Sequence, residues 1–97
     1  MPPLERSGIE RFMPQVPEWK VAEDDKSISK SFKFKDFKEA MGFVNEVADL
    51  AEFEGHHPDI DIRWNKVNLT LTTHAIKGLS ENDFILAAKI DKIEKEK

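Results

Sequence analysis

Three histidines, His56, His57 and His74, fall within one short stretch of the chain, and there are no others. Imidazole is the side chain best suited to giving and taking a proton near neutral pH. A group of them in one place is therefore a candidate acid/base centre. Glu52 lies four residues before His56, so on a helix the two side chains share a face, and a carboxylate there can orient an imidazole. The chain has no cysteine. That excludes a disulfide scaffold, a thiol nucleophile and any cysteine-ligated zinc or iron–sulfur centre. Three histidines could in principle hold a catalytic zinc with one open position. However, the only close pair is adjacent, and neither an H-x-H nor an H-x-x-x-H spacing places two ligands on one face. Acid/base use is the better reading, and no metal is expected.

These residues need elements to hold them. The clearest is a helix over Asp36–Glu54. Phe37, Ala40, Met41, Val44, Val47, Ala48 and Ala51 recur at three-and-four spacing, with Asp36 as N-cap and Gly55 as C-terminal stop. Phe43, Leu50 and Phe53 lie off that stripe, so the apolar face is wide enough to meet a partner subunit as well as the core. Before it, Ser7-Gly8-Ile9-Glu10 has the form of a capping box opening a short helix that Pro14 stops. Trp19 and Val21, then Ile28, Lys30, Phe32 and Phe34, alternate as a half-buried hairpin with serines and lysines outward. After it, Ile60, Ile62 and Trp64 alternate on one strand, and Val67, Leu69 and Leu71 on the next. A two-residue turn at Asn65-Lys66 pairs Trp64 with Val67, Ile62 with Leu69 and Ile60 with Leu71. Extended outward, that register sets Pro58 opposite Thr73 and His57 opposite His74. A last helix starts near Glu81, with Ser80 as cap, Asp83 as a capping acid, and Phe84, Leu86, Ala87, Ala88, Ile90 and Ile93 as its apolar face. Trp64 reads as core.

The order is α-β-β-α-β-β-α. Two hairpins around one long helix predict an α+β fold: a four-stranded antiparallel sheet with three helices packed on one face. At 97 residues, 39% hydrophobic and 35% charged, the chain suits a single domain with one modest core. It is too apolar for disorder and too polar for a membrane protein. A net charge of −4 argues against bulk electrostatic binding to nucleic acid or anionic membrane. No stretch is long enough to span a bilayer, and the N-terminus has no charged-then-apolar leader, so the cytoplasm is the expected compartment.

Taken together, Glu52, Gly55-His56-His57-Pro58, Trp64-Asn65-Lys66-Val67, Thr73-His74, Gly78-Leu79-Ser80 and Asp83 closely resemble the pterin-4a-carbinolamine dehydratases. The likeness runs from about Trp19 to Asp91 and includes Phe32–Phe37; residues 1–18 match only loosely. The resemblance implies four antiparallel strands with three helices. It also implies removal of water from 4a-hydroxytetrahydropterin to give quinonoid dihydropterin, which regenerates the pterin used in aromatic amino-acid hydroxylation. No metal or organic cofactor is implied; the pterin is the substrate. Carried over, His56 and His74 would be the acid/base pair, His57 would position the pterin and Glu52 would orient a histidine. Pro58, Thr73, His74, Ala75 and Ile76 would line the pocket, with Asp83 nearby. Gly55 stands where a polar residue is common, and Trp64 where many members have tyrosine. Members commonly form dimers or tetramers, so a homodimer or homotetramer is expected. Some also act as dimerisation cofactors of a homeodomain transcription factor, which makes a non-catalytic interaction protein the alternative.

Overall fold

The computed structural model describes residues 2–96. Its elements run α1 (Arg6–Phe12), a 3-10 turn (Met13–Gln15), β1 (Lys20–Val21), β2 (Ile28–Lys33), α2 (Phe37–Glu54), β3 (Asp59–Arg63), β4 (Lys66–Leu71), a second 3-10 turn (His74–Ile76) and α3 (Glu81–Lys95). All strand pairs are antiparallel, in the order β1-β2-β4-β3. The expected α+β architecture and element order hold. Both β2 and β3 run antiparallel to β4 and so parallel to each other, which makes β2-α2-β3 a split βαβ unit with β4 inserted at its centre.

In β2 and β4 alternate residues are buried on one side, whereas β3 is exposed along its whole length, Ile60 and Ile62 of its expected apolar face included. Ile28, Phe32, Val67, Leu69 and Leu71 are buried, while Ser29, Ser31, Lys33 and Lys66 between them are exposed. Phe32 and Phe34 both pack tilted rings on Phe43 of α2, with centroids 4.8 and 4.9 Å apart. Phe12 of α1 stacks on Phe84 of α3 at 5.5 Å. Lys30 also points to the helix side. Its Nζ meets Asp91 of α3 at 2.8 Å, and Trp19 Nε1 donates to the same carboxylate at 3.0 Å. A polar knot thus fastens α3 to the sheet.

Helix α2 starts and stops where its caps dictate. Asp36 Oδ1 accepts from Glu39 N at 2.9 Å, and Gly55 ends the helix in the left-handed region at φ +66°. Its buried stripe is Ala40, Phe43, Val44, Val47 and Ala51. This differs from the expected stripe: Phe43 is central, whereas Phe37 and Ala48 are exposed. Phe43 is drawn in by its ring contacts with Phe32 of β2 and with Phe34 just beyond it.

A further expectation is corrected. Helix α1 begins at Arg6 with Glu5 as its uncapped N-cap residue, so Ser7 lies inside the first turn and makes no cap. Leu4 N donates to Leu79 O at 2.8 Å and Ile9 N to Glu5 O at 3.0 Å, which sets the earlier start. Pro14 does follow the end of the α-helix, which stops at Phe12 as expected; it sits early in the 3-10 turn, where a missing N–H costs nothing.

The turn between β3 and β4 is Trp64-Asn65, not Asn65-Lys66. Ile62 pairs with Val67, Ile60 with Leu69 and Asp59 with Thr70. The register is shifted by two residues, so each side chain keeps its face. The cause is tertiary: Asn65 is held against Phe34, accepting from its N at 2.8 Å and donating from Nδ2 to its O at 3.0 Å. Trp64 then takes the left-handed conformation at φ +51° and lies 66% exposed, outside the core it was expected to join.

Candidate active site

The site forms where four chain segments meet: the end of α2, the start of β3, the 3-10 turn after β4 and the first turn of α3. The left-handed Gly55 turns the chain sharply, and His56 N closes the helix end onto Ala51 O at 3.1 Å. His56 therefore leaves the helix line and reaches α3, where its Nε2 lies 2.5 Å from Asp83 Oδ1. His57 points elsewhere, its Nε2 2.5 Å from Glu52 Oε2.

Two expectations fail here, each because a local pattern was extended past its end. Glu52 was expected beside His56, but it pairs with His57, because four-residue spacing applies only while the helix continues. His57 was expected opposite His74; the two-residue register shift moves the extrapolated pairing away from that, and His74 sits in the 3-10 turn beyond the strand.

Asp83 is the centre of the arrangement. It is fully buried, the one charged side chain so placed among the described residues. A buried carboxylate is tolerated only when its oxygens are satisfied. Here Oδ2 accepts from Ser80 N at 2.9 Å and from Thr73 Oγ1 at 2.9 Å, while Oδ1 accepts from His56 Nε2. Asp83 does help cap α3, as expected, but its carboxylate also spans to Thr73 after β4 and to His56. Thr73 was expected in the pocket for its backbone, and Ser80 only as a cap. Their hydroxyls lie 2.7 Å apart and belong to this network.

A carboxylate oxygen can only accept, so a neutral His56 carries its proton on Nε2 and offers Nδ1 as its free ring nitrogen. The same holds for His57 against Glu52. The two pairs differ in setting: the His56 side chain is 16% exposed and its acid buried, whereas the His57 and Glu52 side chains are 61% and 77% exposed. His74 is exposed, and its ring has no hydrogen-bond partner among the described residues. It follows Thr73 directly, so the Thr73–Asp83–His56 bonds tie the two histidine segments together. Ala75 is exposed, while Ile76 and Pro58 are half-buried.

The histidine turn is closed by Thr73 N to Gly78 O at 2.9 Å and by left-handed Lys77 at φ +57°. A Cβ on Gly78 would stand 2.6 Å from Pro3 Cβ, so any larger residue there would force this loop and the N-terminal segment apart. The N-terminal segment, which matched the motif only loosely, thus packs on the loop that carries His74. No group of three or more metal-ligating side chains comes together among the described residues.

The contacts orient two imidazoles, His56 on Asp83 and His57 on Glu52, while Thr73 ties the segment carrying His74 to Asp83; imidazoles can both donate and accept a proton near neutral pH. The family model for pterin 4 alpha carbinolamine dehydratase matches residues 2–93. The chain belongs to this family. A relative from Alkaliphilus metalliredigens that carries a provisional pterin-4-alpha-carbinolamine dehydratase name is 51% identical over 98% of this chain and 86% of its own. One from Rubrobacter xylanophilus, provisionally named likewise, is 45% identical over 96% of this chain and 86% of its own. Among solved structures, a transcriptional coactivator/pterin dehydratase from Brucella melitensis superposes with a TM-score of 0.89 at 35% identity, covering 95% of this chain and 98% of that one. A pterin dehydratase-like protein described as a RuBisCO assembly factor in the alpha-carboxysome gives 0.69 at 26% identity, over 79% of this chain and 89% of that one. The chain's structural relatives therefore include proteins whose names carry roles other than, or besides, dehydration.

Proposed function

We propose that this chain is a lyase that dehydrates 4a-hydroxytetrahydropterin to quinonoid dihydropterin by histidine general acid/base catalysis. In the reaction the C4a–O bond breaks with its electron pair on oxygen, which takes up a proton and departs as water. N5 gives up its proton, and the C4a=N5 double bond closes. One donor and one acceptor are required, and no redox step. The observation that carries the reading is the His56–Asp83 pair: a buried acid, itself fully hydrogen-bonded, fixes one imidazole so that Nδ1 is its free atom.

In this reading His56 accepts the N5 proton at Nδ1 and His74 protonates the departing hydroxyl. His57, oriented by Glu52, positions the pterin. Pro58 and the backbone of Thr73, Ala75 and Ile76 line the pocket against the amide-like edge of the ring. The pterin is the substrate, and neither metal nor organic cofactor takes part. The working unit is a homodimer or homotetramer acting in the cytoplasm, where it returns the pterin of aromatic amino-acid hydroxylases to use. Among the described residues, no helix is long and apolar enough to cross a membrane.

The test is the dehydration assay against the uncatalysed background. His56→Ala and His74→Ala should each lower kcat by about 10²-fold or more while the fold is retained. Activity should survive exhaustive chelation; a chelator-sensitive activity would restore the zinc reading.

A second reading is an interaction protein. It is supported by the names of the two structural relatives and by Phe37 and Phe53 of α2, which are 50% and 85% exposed. Wild-type protein with no acceleration over background, together with a stable hetero-complex in size exclusion, would favour it.

A further inference from the structure

We infer that the Thr73 hydroxyl is a positioning group for the reaction: with Ser80 behind it, it holds the Asp83 carboxylate in the orientation that sets the His56 tautomer. The inference rests on the proposed dehydratase chemistry for its kinetic consequence, but its structural half stands apart from it.

The proton directions follow from bonding capacity. Thr73 Oγ1 lies 2.9 Å from Asp83 Oδ2 and 2.7 Å from Ser80 Oγ. A hydroxyl has one hydrogen to donate. The carboxylate oxygen can only accept, so the Thr73 hydrogen goes to Asp83. Ser80 Oγ–H must then donate to Thr73 Oγ1. Ser80 N–H gives Oδ2 a second bond at 2.9 Å, and Oδ1 faces His56 Nε2 at 2.5 Å. Two donors on Oδ2 fix the plane of the carboxylate and leave Oδ1 for the imidazole. Without the Thr73 donor, Oδ2 keeps only the Ser80 amide, and the carboxylate can turn about its Cβ–Cγ bond in a fully buried site. The His56 ring then loses its fixed partner, and the tautomer with Nδ1 unprotonated is no longer the dominant one.

Thr73 also immediately precedes the turn that carries His74. The same hydroxyl therefore couples the placement of the two proposed acid/base groups, which backbone contacts to a substrate would not do.

The experiment compares Thr73→Val, which is nearly isosteric but lacks the hydroxyl, with Thr73→Ser, which keeps it. Two readouts are used: steady-state dehydration of a 4a-hydroxypterin, and long-range 1H–15N NMR of the histidine rings. The expected result for Thr73→Val is a loss of about tenfold in kcat, little change in KM, and a His56 spectrum shifted from one tautomer toward a mixture. Thr73→Ser should restore both. If Thr73→Val fails to fold, Thr73→Ala removes the hydroxyl without added bulk and takes its place. An unchanged His56 spectrum in the hydroxyl-less variant overturns the inference, and so does Thr73→Ser behaving like Thr73→Val. Wild-type protein without dehydratase activity would sink the proposed function alone, because the NMR comparison still reads the positioning.

Discussion

Asp83→Asn is the sharpest change at the level of single residues. The amide is nearly isosteric, so its oxygen can go on accepting from Ser80 N and Thr73. Its NH2 then faces His56 Nε2, which must become an acceptor, and the ring proton moves to Nδ1. The atom proposed to take the N5 proton is thereby blocked. We predict a fall in kcat of about 10²-fold or more with the fold retained, and histidine NMR reporting the flipped tautomer. Much of this centre was legible from residue types. His56, His57, His74, Glu52 and Asp83 were all singled out, and the absence of cysteine left imidazole as the natural acid/base. The partners were not legible. His56 and Asp83 are 27 residues apart and meet only because α3 packs against the end of α2. Glu52 fell to the wrong histidine because helical spacing was carried past the residue where the helix stops.

Among the elements, the end of α2 decides where the histidine pair points. A Cβ added to Gly55 would meet no atom within 4 Å, so a side chain there brings no clash, only the backbone cost of φ +66°. Gly55→Ala should therefore destabilise by about 1 kcal/mol, lowering the thermal midpoint by roughly 4–8 °C for a domain of this size. It should also lower activity by letting the chain leave the helix at another angle. Thermal unfolding monitored by circular dichroism checks the first, and the dehydration rate the second. Periodicity showed the elements themselves well: the bounds of α2 and the strands of both hairpins follow from caps and alternation. The hairpin register did not follow, because two turns were compatible with the same alternation. The choice between them rests on Asn65 holding Phe34, a contact 31 residues away in sequence.

For the molecule as a whole, α3 carries Asp83 at one end and Asp91 further along, and both bind it to the rest of the fold. Asp91 accepts from Trp19 Nε1 and from Lys30 Nζ, whose side chain is only 9% exposed. Asp91→Ala leaves a nearly buried ammonium with Glu18 at 3.5 Å as its one remaining carboxylate partner and the Phe32 ring at 4.7 Å. It should cost about 3 kcal/mol in chemical denaturation, with no direct effect on the histidine site in the protein that remains folded. The four-stranded sheet and three helices were readable as an order of elements, whereas the ties that aim them at one another were not. Whether this assembly uses its oriented histidines to expel water from a carbinolamine is decided by one rate comparison. The dehydration of a 4a-hydroxypterin is followed with no protein, with wild-type protein, and with His56→Ala. Wild type should give a clear acceleration that falls by about 10²-fold in the variant. A wild-type rate equal to background, or a variant as fast as wild type, would overturn histidine-driven dehydration by this chain.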